Sequence, residues 1–475
     1  MFNLNPFSSS FFQLYILQLD EYDILRFLKI LSKVKRGKKL IKTLVWTNKA
    51  KLIYLLSLLQ ILLASWLIAN LNLLVFGSIL FISLQLFFLP LILSVILLFP
   101  FDYISKKIII SKAKTKIKSL NNLKIIAIAG SYGKTTFKEI LHTILSEKYR
   151  VLKTPESINT PIGISRLILS TLSNNHDIFI VEMGEYYKND IKNLCKITPP
   201  DISVVTGINE AHFERLKSIE ATVSTIFEVV ENSKDDALIV INSDDKLVNE
   251  NYKKHVNDKN IIFYGLNNNK STLKASEIRF NEDKLTLDFN LIEGKTNIDS
   301  YTINIIAEYA IADIIGAVQI ARKLDISWQV IKLGIGKIKP VPYRLAPKYD
   351  KEKDILVIDD TFNTNPEGVD EAINLLSKFK KRRKIYITPG MAETGIMNRK
   401  IHLDIAVKLS KVANLVILIK TSSSLFMYEG LKNNKYSEDK IIFFDSIHDV
   451  YNNLNKITKP NDVVLFQNIW PENYV

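Results

Sequence analysis

The sequence predicts an α/β protein: a central domain on a doubly wound, mostly parallel sheet, a C-terminal Rossmann-like α/β domain, and an N-terminal transmembrane helical hairpin. Three observations predict it. From Leu123 onward, short apolar runs alternate with amphipathic helical stretches. The first of these runs feeds a glycine-containing turn, Gly130 to Thr136. Ahead of both lies a nearly charge-free block, residues 52–101, with lysine-rich flanks.

Residues 11–47 mix Phe, Leu and Ile with basic residues at helical spacing and read as an amphipathic helix on a membrane surface. Leu52 to Ala69 carries no charge, and a second apolar stretch runs from Leu73 to about Phe101, enough for two spans joined by a very short turn. Pro90 is expected to kink the second helix or to mark a shallower re-entrant path. Lys33 to Lys51 before the block and Lys106 to Lys118 after it place both ends on the cytoplasmic side of the cell membrane. A signal peptide would be shorter and begin earlier. The expected parts are a basic juxtamembrane region (1–50), two spans (51–101), a basic linker (102–119), a central domain (120–340) and a C-terminal domain (341–475).

In the central domain the expected strands are Lys124–Ala129, Asp177–Met183, Ile202–Thr206 and Ala237–Ile241, with a helix over Thr136–Glu147. Residues 260–305 read as a small side sheet and Ala307–Leu324 as a helix. In the C-terminal domain the strands are Ile355–Asp359, Lys384–Thr388, Leu415–Ile419, Ile441–Phe444 and Val463–Phe466. Ligand sites in such sheets lie at the carboxyl ends of the strands.

The formal net charge of +14 would suit nucleic acid, but the basic residues crowd beside the apolar block, which favours membrane lipids and excludes nucleic acid as the partner. The single cysteine, Cys195, rules out an intrachain disulfide and a cysteine metal cluster.

Gly130-Ser131-Tyr132-Gly133-Lys134-Thr135-Thr136 follows a strand and opens a helix, which is the context of a P-loop and makes this a P-loop central domain. Glycines let backbone N–H groups turn toward phosphate, and the helix N-terminus adds positive potential. Lys134 would neutralise the β- and γ-phosphates of ATP, and the Thr135 hydroxyl would ligate Mg²⁺. Ile128 stands where the longer form of the motif has glycine, so the short G-[ST]-x-G-K-T-T form is the one met.

AIAGSYGKTTFKEIL (127–141) resembles the ATP loop of the Mur ligases, most nearly those that add D-alanyl-D-alanine to a UDP-N-acetylmuramoyl-tripeptide. Four further segments are similar in the same order: TPESINTPIG (154–163), the stretch 181–220 beginning VEMGEYY, IDDTFNTNPEGVDEAINLL (358–376) and TPGMAETG (388–395), with Tyr343-Arg344-Leu345 opening the last domain. The likeness covers about 120–475. It implies an ATP-dependent amide-bond ligase of cell-wall precursor synthesis that activates a carboxylate as an acyl phosphate. Its partners would be a muramoyl-peptide precursor, UDP- or lipid-linked, and a D-alanyl-D-alanine-like dipeptide. Residue by residue, it implies Gly130, Ser131, Gly133, Lys134, Thr135 and Thr136 around the nucleotide, Glu182 on Mg²⁺, and His212 on a second Mg²⁺. It further implies Arg344 on the ATP phosphates, Asp359 or Asp360 on the ribose or the surroundings of that arginine, and Asn363 and Asn365 shaping the loop. Glu393 and His402 would face the incoming amine. Tyr132 and Phe137 read as packing residues, and Asn209 and Glu210 carry no assigned role.

Three departures stand out. Ile226 occupies the place of the family's modified lysine, while Glu228 matches the glutamate after it. The adenine-contacting His-Asn-x-x-Asn reads Tyr309-Ala310-Ile311-Ala312-Asp313, leaving Asp313 to accept from the adenine amino group. Apolar helices stand where the uridine-nucleotide domain would be. The competing readings are another ligase of the superfamily, such as a polyglutamate-adding or cyanophycin-type enzyme, and a non-catalytic nucleotide-binding membrane scaffold, for which Ile226 is the best support.

Overall fold

The computed structural model describes residues 6–19, 22–31, 44–69, 78, 86–156, 158–185, 187–209, 218–256, 259–267, 270–362, 365–391 and 394–469. It divides into two units, residues 1–109 and residues 110–475.

In the first unit the expected single amphipathic helix is two helices, Pro6–Leu19 and Ile24–Leu31, separated around Tyr22, whose φ is 67°. The first buries Leu14, Tyr15, Ile16 and Leu17 in a small core with Phe27, Ile53 and Leu91, so it is not amphipathic. The second is: its buried Phe27 lies opposite the exposed Lys29. Residues 32–43 of the expected helix lie outside the described residues. Among the described residues, Asn48–Ala69 and Phe88–Ser119 are the two helices long and apolar enough to cross a membrane. The predicted kink at Pro90 is corrected: Pro90 sits in the first turn, where the N–H it lacks has no intrahelical partner. The proline inside the helix is Pro100. The helix also runs unbroken past residue 101, and its last turns already belong to the second unit. Ala113 and Ile117 are buried there, and the Lys116 ammonium donates to the Leu169 carbonyl at 3.0 Å.

The second unit holds three sheets. The central one has the order β2-β3-β1-β4-β5-β6, all parallel, from β1 Lys124–Ala129, β2 Val151–Lys153, β3 Ile178–Glu182, β4 Ile202–Val205, β5 Leu238–Asn242 and β6 Asn260–Tyr264. Helices cover both faces, so β1, β3 and β4 are nearly continuous apolar runs rather than alternating ones. Residues 260–264, expected in the side sheet, form instead the edge strand β6. The side sheet itself is antiparallel: β7 Leu273–Asn281, β8 Thr286–Glu293 and β9 Thr296–Ile303.

The C-terminal sheet, β10-β11-β15-β12-β13-β14, comprises β10 Ala346–Asp350, β11 Ile355–Asp360, β12 Arg383–Thr388, β13 Leu415–Ile419, β14 Ile441–Phe444 and β15 Asp462–Gln467. Only β10 runs antiparallel to its neighbour. One apolar cluster extends from the helix after β1 (Phe137, Ile140) through helix Tyr309–Lys323 (Ala310, Ile314) to Leu356 and Leu465 of this last sheet and Leu376 of the helix Pro366–Lys378. The strand order reverses at β1, between β3 and β4, and the crevice at its carboxyl end is where such sheets hold ligands.

Candidate nucleotide site

The turn after β1 is built for close approach. Gly130 has φ 149° and Gly133 φ 79°, and a Cβ on Gly130 would come within 2.2 Å of the Thr206 hydroxyl at the end of β4. The Ser131 amide donates to the Gly207 carbonyl at 2.7 Å, so it braces the loop. Lys134 opens the helix Lys134–Leu145. Its ammonium donates to the Gly130 carbonyl and lies 3.1 Å from each oxygen of Glu185.

Parallel pairing places Ile128 opposite Glu182, so Glu182 ends β3 beside the loop. The Thr135 hydroxyl donates to Glu182 Oε2 at 3.1 Å. A buried cation that sequence reasoning missed shares that oxygen: Lys138 Nζ donates to Glu182 Oε2 at 3.0 Å and to the Glu156 carbonyl at 2.6 Å. Its spacing, one turn after Lys134 on the helix, was the available signal. The segment 154–163 folds against the same strand end. Thr154 accepts from the Glu182 amide at 3.1 Å, Asn159 accepts from the Gly184 amide through its carbonyl at 3.1 Å, and Thr160 caps helix Pro161–Ser170.

Tyr132 does more than pack. Its ring lies over Gly207, and its hydroxyl donates to Asp245 Oδ2 at 2.6 Å. Asp245 also accepts from the Ile208 amide at 3.1 Å. Burial, then the charge of Asp245, pushes the Tyr132 phenol up. Phe137 is a packing residue, fully buried against Tyr264. Asp313 is buried on the helix Tyr309–Lys323, and its Oδ2, like the Tyr264 hydroxyl, has no hydrogen-bond partner. Burial pushes its carboxyl well above the usual carboxylate range. Burial and the nearby Asp360 raise the Tyr309 phenol, against the opposing Arg344 charge and a hydrogen bond with Thr136.

Arg344 stands where the chain enters that domain, between Tyr343 (φ 62°) and Leu345 (φ 47°), and its guanidinium stacks on Phe362 at 4.3 Å. Asp360 accepts from the Leu345 amide at 3.2 Å and from Gln467 at 2.8 Å. These bonds brace the entry to the domain beside Arg344. Asp359 accepts from Thr361 at 2.6 Å, and Asn365 caps helix Pro366–Lys378 through the Gly368 amide at 2.7 Å. Asn209, given no role from sequence, donates to Glu367 at 2.7 Å and so bridges the two domains beside the loop.

The metal expectations divide. The Thr135 hydroxyl and Glu182 carboxylate form a hard oxygen pair next to the phosphate loop and fit one Mg²⁺. His212 and Asn363 lie outside the described residues, as do Glu210 and Glu393. Ile226 is fully buried in the apolar layer with Met183 and Ile208. Glu228 accepts from the Asn189 and Lys192 amides at 2.8 and 2.9 Å, capping helix Asp190–Cys195. No group of three or more His, Cys, Asp or Glu side chains suited to a metal occurs among the described residues. His402 does not face an incoming amine. It is fully buried, its Nδ1 donating to the Asn398 carbonyl at 2.7 Å and its Nε2 accepting from the Met391 amide at 2.8 Å.

Comparison with known proteins agrees with this geometry. Residues 128–321 match the Mur ligase middle domain, and residues 344–467 match the Mur ligase glutamate ligase domain. The UDP-N-acetylmuramoyl-tripeptide–D-alanyl-D-alanine ligase of Bacillus subtilis is 22% identical over 356 residues, 75% of this chain and 75% of that protein. Its counterpart in Buchnera aphidicola from Acyrthosiphon pisum is 28% identical over 280 residues, 59% of this chain and 60% of that protein. The chain therefore spans 60% to 75% of the length of these two relatives. The MurF ligase of Thermotoga maritima, solved with ADP, superposes with a TM-score of 0.67 at 24% identity, covering 76% of this chain and 80% of that one. At that identity the likeness is one of fold.

Proposed function

The chain belongs to the Mur ligase family, and we propose that it is an ATP-dependent carbon–nitrogen ligase acting on a muramoyl-tripeptide carboxylate and a D-alanyl-D-alanine-like dipeptide. The observation that carries this reading is the meeting of Lys134, Thr135 and Glu182 at the switch point of the central sheet, with Arg344 entering from the next domain.

Joining a carboxylate to an amine in water is uphill. The carboxylate is therefore activated as an acyl phosphate at the expense of ATP, and the amine then displaces phosphate. Charge gathers on phosphate and carboxylate oxygens, so the protein's part is to hold cations and dipoles in place. Lys134 and the loop amides after Ser131 would hold the β- and γ-phosphates. Thr135 and Glu182 would hold Mg²⁺, which screens the phosphate charge. Asp313 would accept from the adenine amino group, and Arg344, braced by Asp360 through Leu345, would lie against the phosphates. A second Mg²⁺ on His212 has less support, because Ile226 and Glu228 are committed to packing and capping.

The two apolar helices, most of whose side chains are exposed, support anchoring at the cytoplasmic face of a membrane. From there a lipid-linked acceptor would be within reach as well as a soluble one. The test is product formation by the detergent-purified full chain with ATP, D-alanyl-D-alanine and either a UDP-linked or a lipid-linked muramoyl-tripeptide, read by mass spectrometry. Product is expected, and Lys134→Ala should lower turnover by at least about a hundredfold. ATP binding without carboxylate- and amine-dependent phosphate release would favour the scaffold reading.

A further inference from the structure

Two lysine–carboxylate pairs join the P-loop helix to the end of β3, and they differ in kind. Lys138 and Glu182 are sealed, with side-chain exposures of 0% and 3%, and Lys138 is further tied to the Glu156 carbonyl. Opening that pair would strand a charge in the interior, so it is a permanent strut. Lys134 and Glu185 sit at the edge: the Glu185 side chain is 2% exposed, but that of Lys134 keeps 12%.

An ammonium has three donors. On Lys134 one is directed to the Gly130 carbonyl, and the other two face the two oxygens of Glu185 at 3.1 Å each. All three are in use. A carboxylate offering two oxygens to a lysine copies the acceptor pair of a phosphate. Lys134 cannot serve Glu185 and a β-phosphate together, whereas Glu182 stays fixed by Lys138 throughout.

We propose that Glu185 is a carboxylate latch that holds the phosphate place on Lys134 until a nucleotide displaces it, and that this exchange sets the affinity for the β- and γ-phosphates. The inference rests on reading Lys134 as the phosphate-binding lysine. Glu185 acts through Lys134 and is a positioning residue.

Calorimetric titration of the full chain in detergent with ADP, and with AMP as the probe lacking a β-phosphate, tests it. Glu185→Gln removes the competing charge at nearly constant shape. It should tighten ADP by about tenfold, the scale of one hydrogen bond to a charged group, and leave AMP unchanged. In a Lys134→Met background the same substitution should have no effect. Unchanged or weaker ADP binding with AMP binding intact overturns the latch. If Glu185→Gln loses AMP binding as well, Glu185→Asp decides, because it keeps the charge but draws it back by one methylene. Tighter ADP binding in that variant supports the latch, and no gain overturns it. A wild-type chain that binds ADP no better than AMP would instead remove the P-loop reading, and the latch with it.

Discussion

At the scale of single residues, what a side chain bonds to decides its role more than what it is. His402 shows this. Sequence likeness put it near a substrate, yet its two ring nitrogens are spent on Asn398 and Met391, shaping the turn at Gly390, whose φ is 88°. Burial holds its imidazole below the usual histidine range, opposed only by the hydrogen bond to Asn398. The unfolded chain, with a pKa near 6.5, therefore takes up a proton that the folded one refuses. This contribution is complete above that value and falls away as pH drops from it toward the lower folded pKa. Urea unfolding between pH 7 and 5 should show stability declining with acid, with that part of the slope gone in His402→Phe. The variant should also lose about 1–3 kcal/mol at pH 7, because the Met391 amide is left without its acceptor.

At the scale of elements, the short helix Asp190–Cys195 illustrates borrowed stability. Its N-cap, Asn189, sits at φ 72° and makes no side-chain capping bond. The carboxylate of Glu228, on helix Ile219–Glu231, supplies both acceptors instead. Burial raises the Glu228 carboxyl, and the two amide bonds work against that rise. Glu228→Ala should destabilise the protein by about 1 kcal/mol in chemical denaturation, since two part-buried amides lose their partner. An unchanged midpoint would mean that water replaces the carboxylate without cost. Two turns of the same helix thus carry a packing isoleucine and a capping glutamate where the family places metal-ordering groups. The Thr135–Glu182 pair keeps two hard oxygens together beside the phosphate loop.

For the whole molecule, the helix pair Asn48–Ala69 and Phe88–Ser119 predicts behaviour that the second unit alone would not show. Both helices expose Leu, Ile, Phe and Trp side chains over most of their length, among them Leu55, Leu63, Trp66, Ile96 and Phe99. A core helix of a soluble protein would bury them. The full chain should remain in the membrane pellet after alkaline carbonate extraction and leave it only with detergent. Release by carbonate would argue against spanning helices. In the second unit, the bridge from Asn209 to Glu367 and the shared apolar cluster hold the two α/β domains together around the crevice.

Local sequence alone specified the two largely parallel sheets, the P-loop after β1, the acid at the end of β3 and the apolar helices. Each of these is written in local periodicity or contiguous residue types. Tertiary structure decided what local patterns do not encode. β2 is three residues long and β6 lies among polar neighbours, so both are strands only because the sheet offers them an edge. Lys138, Asn209 and Glu185 matter through partners 44, 158 and 51 residues away. His402 and Asp360 change meaning once their partners are seen. A side chain's chemistry is fixed by its type, but its role is set by which donors and acceptors the fold brings within about 3 Å of it.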